Sequence, residues 1–299
     1  MGFVERLPPG IKTRVKKELL KRYFGNSVDY SVNVEGDRRI REAKRAAKGP
    51  FDQKLRTAYA RNWVSRLPGV RLDPVNFERI RQQAIAALDD PVKSPCCYFS
   101  GNQAEAQGIP REVIKHDYRR ATINVRAAIP DAPSLLHQDL VYAIRSAIGS
   151  EFYMDGVYLK RNFHVEPALR TQFDLLSDRW HFDHQYPDGF SLFINLGDFG
   201  PEHGPTQWIN RPDSLRMLRL GYDADARITS RSCGLPEGMI EACKSYDSLV
   251  GPAGSMALMH TSYCLHASGI PASPDIHRDT LVFTFRPSID FSVAWPEQS

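Results

Sequence analysis

The stretch from Trp180 to Trp208 reads WHFDHQYPDGFSLFINLGDFGPEHGPTQW, and it opens on His181-Phe182-Asp183. In an extended strand, side chains two residues apart project to the same side, so His181 and Asp183 bring an imidazole and a carboxylate to one point. The apolar run 190–196 follows shortly after this pair. The stretch therefore predicts short strands of a β-rich core, one of which carries a metal-binding pair.

A second stretch supplies a further imidazole. Residues 263–269 read YCLHASG and contain His266. Arg278 follows twelve residues later, just before the apolar run 280–285. Two histidines, one carboxylate and open coordination positions are the facial triad of non-heme Fe(II) oxygenases.

The pattern His-x-Asp occurs three times, so its context has to select among the copies. His137 lies in PSLLHQDLVYAIRSAIG, whose apolar residues recur at helical spacing, and positions i and i+2 of a helix diverge. The segment after His277 lacks the Leu-x-x-x-Asn that follows the HRD of protein kinases. We therefore predict that the metal ligands are His181, Asp183 and His266, with purely structural histidines as the alternative.

At these residues the chain resembles a known family. HFD at 181–183, HASG at 266–269 and the arginine before the last apolar strand are similar to the phytanoyl-CoA dioxygenase-like branch of the Fe(II)/2-oxoglutarate-dependent oxygenases. The resemblance covers about residues 135–287. It implies a mainly β fold with flanking helices (α+β), built on a double-stranded β-helix, a jelly-roll and cupin-like barrel, from about 150 to 290.

The same resemblance assigns roles around the metal. Fe(II) would occupy the triad, with 2-oxoglutarate and O2 as cosubstrates. Arg278 would anchor the far carboxylate of 2-oxoglutarate, because a guanidinium binds a carboxylate through two parallel hydrogen bonds, and Arg286 is the fallback. Ser268 would hydrogen-bond the same carboxylate, and the amide of Asn195 would face the cosubstrate.

The implied reaction is hydroxylation of an unactivated C–H bond of a small molecule, with release of succinate and CO2. An anionic substrate, a lipid-linked one and a biosynthetic intermediate all stay open. Halogenating relatives replace the carboxylate ligand with Gly or Ala, so Asp183 favours hydroxylation, desaturation or ring chemistry. The alternative is a cupin-like metalloprotein, an isomerase or a binding module, without 2-oxoglutarate chemistry. That alternative leaves Arg278 and Ser268 without a function.

Composition narrows the class of protein. The 299 residues contain no apolar run long enough to span a membrane, and the N-terminus has no signal-peptide core. Five cysteines include no CxxC pair, which indicates reduced thiols rather than disulfides or a zinc site. We predict a cytoplasmic protein in which Cys264 is a small buried side chain.

Positive charge is concentrated at the start of the chain. Residues 1–66 hold 17 Lys and Arg against 7 Asp and Glu, whereas the rest holds 22 against 28. Sequence patterns predict basic helices over 11–24 and 36–48. Three interpretations stay open: a helical extension packed on the barrel, peripheral contact of residues 1–30 with anionic membrane, and a docking face for an anionic substrate or partner. A nucleic-acid partner is not expected, since no recognised binding motif is present.

Local signals divide the remaining chain. Leu67-Pro68-Gly69 predicts the boundary between a basic helical extension, 1–66, and an oxygenase domain, 67–299. Asp73 then provides an N-cap for a helix predicted over 74–89.

Later elements are predicted in the same way. A helix over 133–148 should end at Gly149, a residue typical of the position after a helix. Short strands separated by turns should follow over 152–291. The segment 213–244 interrupts them, with a short helix expected near 236–244.

Overall fold

The computed structural model describes residues 30–47, 50–89, 120–123, 125–164, 180–183, 189–219, 243 and 246–296. The predicted helix 11–24 and most of the membrane-contacting segment lie outside these ranges, so the interpretations of the basic segment stay predictions. Six α-helices are described: α1 (Tyr30–Ala46), α2 (Gln53–Asn62), α3 (Pro74–Asp89), α4 (Val125–Ala128), α5 (Gln138–Ile148) and α6 (Arg211–Arg219).

Helix α3 has the predicted bounds. A carboxylate oxygen of Asp73 accepts a hydrogen bond from the backbone N–H of Asn76 at 2.7 Å, which caps the first turn. Its buried face packs into the main core through Phe77, Ile80, Ala84 and Leu88. The second basic helix, predicted over 36–48, begins earlier, since α1 starts at Tyr30.

The helix predicted over 133–148 is wrong in its first turn. A 3₁₀ helix (Ala132–Leu135) comes first, and α5 begins only at Gln138. His137 is extended, with φ −70° and ψ 168°, and its Nε2 lies 2.9 Å from the carbonyl oxygen of Arg71. The apolar spacing continues through both segments, so the pattern alone does not reveal this interruption. Gly149 ends α5 in the left-handed conformation, as predicted.

Antiparallel strands form two sheets, which confirms the predicted β-rich core with flanking helices. The strands are β1 (Val64–Ser65), β2 (Arg120–Ile123), β3 (Glu151–Phe163), β4 (Phe190–Asn195), β5 (Thr206–Ile209), β6 (Tyr246–Ser248), β7 (Met256–Met259), β8 (Leu265–Ser268) and β9 (His277–Ser288). The larger sheet has the order β1-β7-β4-β9-β3-β2, and the smaller has the order β6-β5-β8. Strand β1 belongs to the larger sheet although it precedes residue 67.

The two faces of the larger sheet bury different layers. On β9, Leu281, Phe283 and Phe285 point into the main core with residues of α3 and α5. The alternate residues of that strand therefore face the smaller sheet, because successive side chains of a strand point to opposite sides. A second apolar cluster lies between the sheets and contains Val64, Phe193, Trp208, Leu249, Ala257, Met259 and Cys264.

The segment between β5 and β6 is described only in part. It begins with α6, and the short helix expected near 236–244 lies outside the described residues. Among the helices whose placement is described, none is long and apolar enough to cross a membrane.

Candidate metal centre

The two histidines of the predicted triad are neighbours, since His181 forms an isolated antiparallel bridge to His266 of β8. The backbone N–H of His181 donates to the carbonyl oxygen of His266 at 2.8 Å, and the N–H of His266 donates back at 3.0 Å. Two residues further, the N–H of Asp183 donates to the carbonyl oxygen of Thr261 at 2.9 Å. The segment 181–183 thus extends the smaller sheet beyond β8 and places all three side chains together.

The geometry of the three side chains suits a metal ion. Nε2 of His181 and Nε2 of His266 each lie 3.7 Å from a carboxylate oxygen of Asp183. One ligand atom from each residue falls within 4.8 Å of the others. Nitrogen and oxygen donors bind divalent transition metals at about 2.0–2.2 Å, so a cation between them needs only small adjustments. Three protein donors leave further coordination positions open.

A backbone contact fixes the tautomer of His266. Its Nδ1 lies 2.9 Å from the carbonyl oxygen of Cys264, which can only accept a hydrogen bond, so Nδ1 carries the proton. Nε2 then keeps its lone pair for the metal. A carbonyl partner that orients a metal-binding histidine in this way is typical of such sites. Cys264 itself is fully buried, as predicted, and burial raises the pKa of its thiol.

Arg278 lies on β9, across from β8, and is almost fully buried. Its Nη1 donates to the carbonyl oxygen of Gly204, and its Nη2 donates to Oγ of Ser268. The same hydroxyl accepts a hydrogen bond from Nδ2 of Asn162 at 3.0 Å. Arg278, Ser268 and Asn162 therefore form one polar group that joins the two sheets next to the metal ligands.

A buried hydroxyl near this group is suited to a ligand. Thr280 follows Arg278 on the same face of β9, and among the described residues its Oγ1 is buried without a hydrogen-bond partner. A buried hydroxyl without a partner is costly, so native proteins usually satisfy it. A bound carboxylate would accept hydrogen bonds from both side chains. The residues present therefore fit a ligand that combines metal-binding oxygens with a distal carboxylate.

The other predicted site residues take different positions. Asn195 is buried, and its Nδ2 donates to the carbonyl oxygen of Leu249 at 3.0 Å, which ties β4 to the end of β6. Its role toward a cosubstrate stays a prediction. Arg286, the fallback anchor, forms an ion pair with Asp155, with Nε 3.1 Å from Oδ1.

A buried ion pair lies next to the site on the outer face of β9, which is the face that points toward α3 and the main core. Arg161 donates from Nε and Nη2 to the two carboxylate oxygens of Asp279, at 2.7 Å each, and from Nη1 to Asp89 of α3. Burial opposes ionisation of Asp279, but hydrogen bonds from Arg161 and His277 lower its pKa overall. This pair fixes the start of β9 and therefore the backbone of Arg278.

Two residues beside the predicted site were not themselves predicted: Asn162 and Thr280. Lys160 and Asn162 alternate with Leu159 and Arg161 on β3, so they lie on the face toward the smaller sheet. Their i, i+2 spacing in the sequence is a usable signal. Which face of the strand points inward becomes evident only from the pairing with β9.

Comparison with known proteins shows the fold. No protein-family model and no curated protein sequence matches the chain. One similar solved structure is the non-heme alpha ketoglutarate dependent epimerase SnoN from nogalamycin biosynthesis, at TM-score 0.50 and 11% identity over 78% of this chain and 82% of that one. Another is EctD from S. alaskensis in its apoform, at TM-score 0.50 and 14% identity over 84% and 85%.

Proposed function

We propose that this protein is an Fe(II)- and 2-oxoglutarate-dependent dioxygenase that hydroxylates an unactivated C–H bond of a small molecule and releases succinate and CO2. One observation carries the proposal. Two histidines and one carboxylate converge beside a buried arginine: His266 and Arg278 lie on strands, and the segment 181–183 is held to β8 by backbone hydrogen bonds. SnoN, a structure of similar fold, is a non-heme alpha ketoglutarate dependent epimerase, which supports the choice of cofactors.

One set of residues is assigned to the metal, and another to the cosubstrate. His181, Asp183 and His266 would hold Fe(II), and its open coordination positions would be available to the keto acid end of 2-oxoglutarate. When bound, the iron would activate O2, which is the oxidant, and 2-oxoglutarate would supply two electrons as it is oxidised to succinate and CO2. Arg278 and Thr280 bind the distal carboxylate through charge-assisted hydrogen bonds.

The remaining side chains position the guanidinium of Arg278. Asn162 and Ser268 hold the guanidinium of Arg278 in place through their shared hydrogen bonds. The cosubstrate therefore meets an anchor that needs little rearrangement, which lowers the free-energy cost of binding.

We infer that the two facing sheets are the halves of a double-stranded β-helix, with the metal between β8 and the β9–β3 pair. The HFD and HASG segments favour the phytanoyl-CoA dioxygenase-like branch. The retained carboxylate of Asp183 occupies the position that a halide would need, so hydroxylation is favoured over halogenation.

An anaerobic titration tests the proposal. Apo-protein receives Fe(II) and then 2-oxoglutarate, and the weak visible charge-transfer band of the chelate is recorded. We expect a saturable band that requires both additions. In Arg278→Ala the affinity for 2-oxoglutarate should fall about tenfold or more, because a charge-assisted bidentate contact is lost.

Two variants make the result decisive. Arg286→Ala removes the fallback anchor, and Arg126→Ala removes an exposed arginine that donates to the carbonyl oxygen of Pro296. Neither variant should change the affinity for 2-oxoglutarate. If iron binds and no band forms, the oxygenase proposal fails and the cupin-like metalloprotein becomes the working hypothesis. Weaker binding in Arg286→Ala alone would instead move the anchor to that residue.

A further inference from the structure

The inner faces of β3 and β9 form a wall across from β8, and this wall carries the side chain of Lys160. Lys160 lies on β3 and pairs with Thr280 of β9. It shares the inner face of the strand with Asn162 and with Tyr158, which lie two residues to either side. Its ammonium nitrogen is 5.3 Å from the centroid of the Tyr158 ring.

Strand pairing places this wall opposite the metal ligands. Trp208 of β5 pairs with His266 of β8, and it packs in the cluster between the sheets with Phe193. Phe193 of β4 pairs with Val282 of β9, whose partner on β3 is Tyr158. A direct contact supports this placement: Asn162 of β3 donates to Ser268, which lies two residues after His266 on β8. Lys160 is the next residue on the same face of β3.

Exposure increases along this wall away from Arg278. On β3, Asn162 is buried, Lys160 is partly exposed and Tyr158 is 41% exposed. On β9, residues 278, 280 and 282 are buried and residues 284 and 286 are partly exposed. The arginine end is therefore the deep end, and Lys160 lies between it and the solvent. The proposed distal carboxylate of 2-oxoglutarate occupies the deep end, which leaves the outer part for the substrate.

We propose that Lys160, positioned over the Tyr158 ring, recognises an oxyanion of the substrate, a carboxylate or a phosphate. The inference rests on the proposed function, since it assigns the substrate to the outer part of the same site. An ammonium group forms charge-assisted hydrogen bonds with either anion. The ring restricts the position of the amine through a cation–π contact and adds an apolar surface next to Val282. Further out on the same two strands, Arg286 of β9 forms an ion pair with Asp155 of β3.

Two matched pairs of probes test the charge preference. Phenylacetate is compared with phenylacetamide, and phenyl phosphate with phenol, by anaerobic calorimetry on protein that holds Fe(II), with and without 2-oxoglutarate. We expect at least one anion to bind about tenfold more tightly than its neutral partner, which corresponds to one charge-assisted hydrogen bond. The pair with the larger preference distinguishes a carboxylate site from a phosphate site.

Three variants assign the preference to the amine. Lys160→Gln should remove it, Lys160→Arg should keep most of it, and Lys54→Gln on the exposed face of α2 should leave it unchanged. The inference is overturned if the wild type binds no probe or shows no preference for the anion. It is also overturned if the preference survives in Lys160→Gln.

The same samples separate this inference from the proposed function. The charge-transfer band reports 2-oxoglutarate in each variant, and Lys160→Gln should leave its affinity unchanged. Weaker 2-oxoglutarate binding in Lys160→Gln, with unchanged probe binding, would place the lysine in the cosubstrate site and contradict the inference. If no variant forms the band, the proposed function fails, while the probe preference on the Fe(II)-loaded protein still shows whether Lys160 selects anions.

Discussion

The imidazoles of this protein have different environments, and those environments separate their functions. His266 has its Nδ1 proton committed to a backbone carbonyl, so its Nε2 is a neutral donor toward a metal. His260 lies in an aromatic cluster instead, with ring centroids 4.6 Å from Tyr263 and 6.3 Å from Trp63. Burial lowers the pKa of His260 to about 3, with a further contribution from the charge of Lys44.

This difference predicts a pH-dependent stability. The unfolded state binds a proton at His260 near pH 6.5, whereas the folded state resists protonation, so stability falls as the pH falls below that value. In His260→Gln the free energy of unfolding should lose about 1.4 kcal/mol less per pH unit over this range. Urea unfolding of both proteins between pH 7.5 and about pH 5 measures it. Parallel pH profiles would show that the imidazole does not titrate on unfolding.

Strand β9 carries buried polar side chains on both of its faces. Its inner face carries Arg278 and Thr280, and its outer face carries Asp279, which binds Arg161 of β3. Because both faces belong to one backbone, the ion pair sets the position from which the anchor reaches across to β8. A change on the outer face should therefore appear in cosubstrate affinity.

The buried ion pair of Arg161 and Asp279 should affect both stability and cosubstrate affinity. Asp279→Asn leaves the guanidinium of Arg161 with less compensation, so unfolding free energy should fall by about 3 kcal/mol. The double variant Arg161→Met/Asp279→Leu removes both charges and should recover much of that stability. Its affinity for 2-oxoglutarate should stay below the wild-type value if the pair positions Arg278. Denaturant unfolding and the charge-transfer titration measure the two effects, and a double variant no more stable than Asp279→Asn contradicts the account.

The turn before β5 requires a glycine at position 204. Gly204 has φ +60°, its carbonyl accepts from Arg278, and an added Cβ would lie 2.6 Å from backbone atoms of Gly269 and Ile270. Gly69 also has a positive φ, +83°, but an added Cβ would meet nothing within 4 Å. We expect Gly204→Ala to lose about 3 kcal/mol or more of stability and Gly69→Ala about 1 kcal/mol. Equal losses in thermal unfolding would mean that backbone strain alone decides both.

At the level of the whole molecule, the sequence predicts what depends on short-range pattern. Helix α3 and the shared side of His181 and Asp183 follow from spacing, because a helix or a strand fixes which side chains share a side. The assignments of His266 and Arg278 rest instead on the resemblance to a family, and Ser268 follows from its spacing to His266. Asn162, Thr280 and Lys160 depend on which strands pair and in which register. Those pairings join segments far apart in the chain, so no local pattern contains them. The interruption at His137 was missed for the related reason that a tertiary contact, to Arg71, accompanies it.

Metal binding should stabilise the folded protein as a whole. A ligand that binds only the folded state adds about 2.7 kcal/mol when its concentration is a hundred times Kd. Saturating Fe(II) under anaerobic conditions should therefore raise Tm by several degrees. Asp183→Asn should lose this increase, whereas Asp290→Asn, an exposed control, should keep it. Differential scanning calorimetry measures the shifts, and an equal rise in Asp183→Asn would place the metal elsewhere.

The reciprocal backbone hydrogen bonds of His181 and His266 have a kinetic consequence. Each amide is held by the other residue's carbonyl, so one local opening event exposes both amides to solvent exchange and separates both imidazoles. Release of the proposed metal and amide exchange at these two positions should therefore share one opening event. Hydrogen–deuterium exchange should give equal protection factors for the two amides, and Fe(II) should raise both by the same factor. Unequal protection would mean that the ligands leave the metal one at a time.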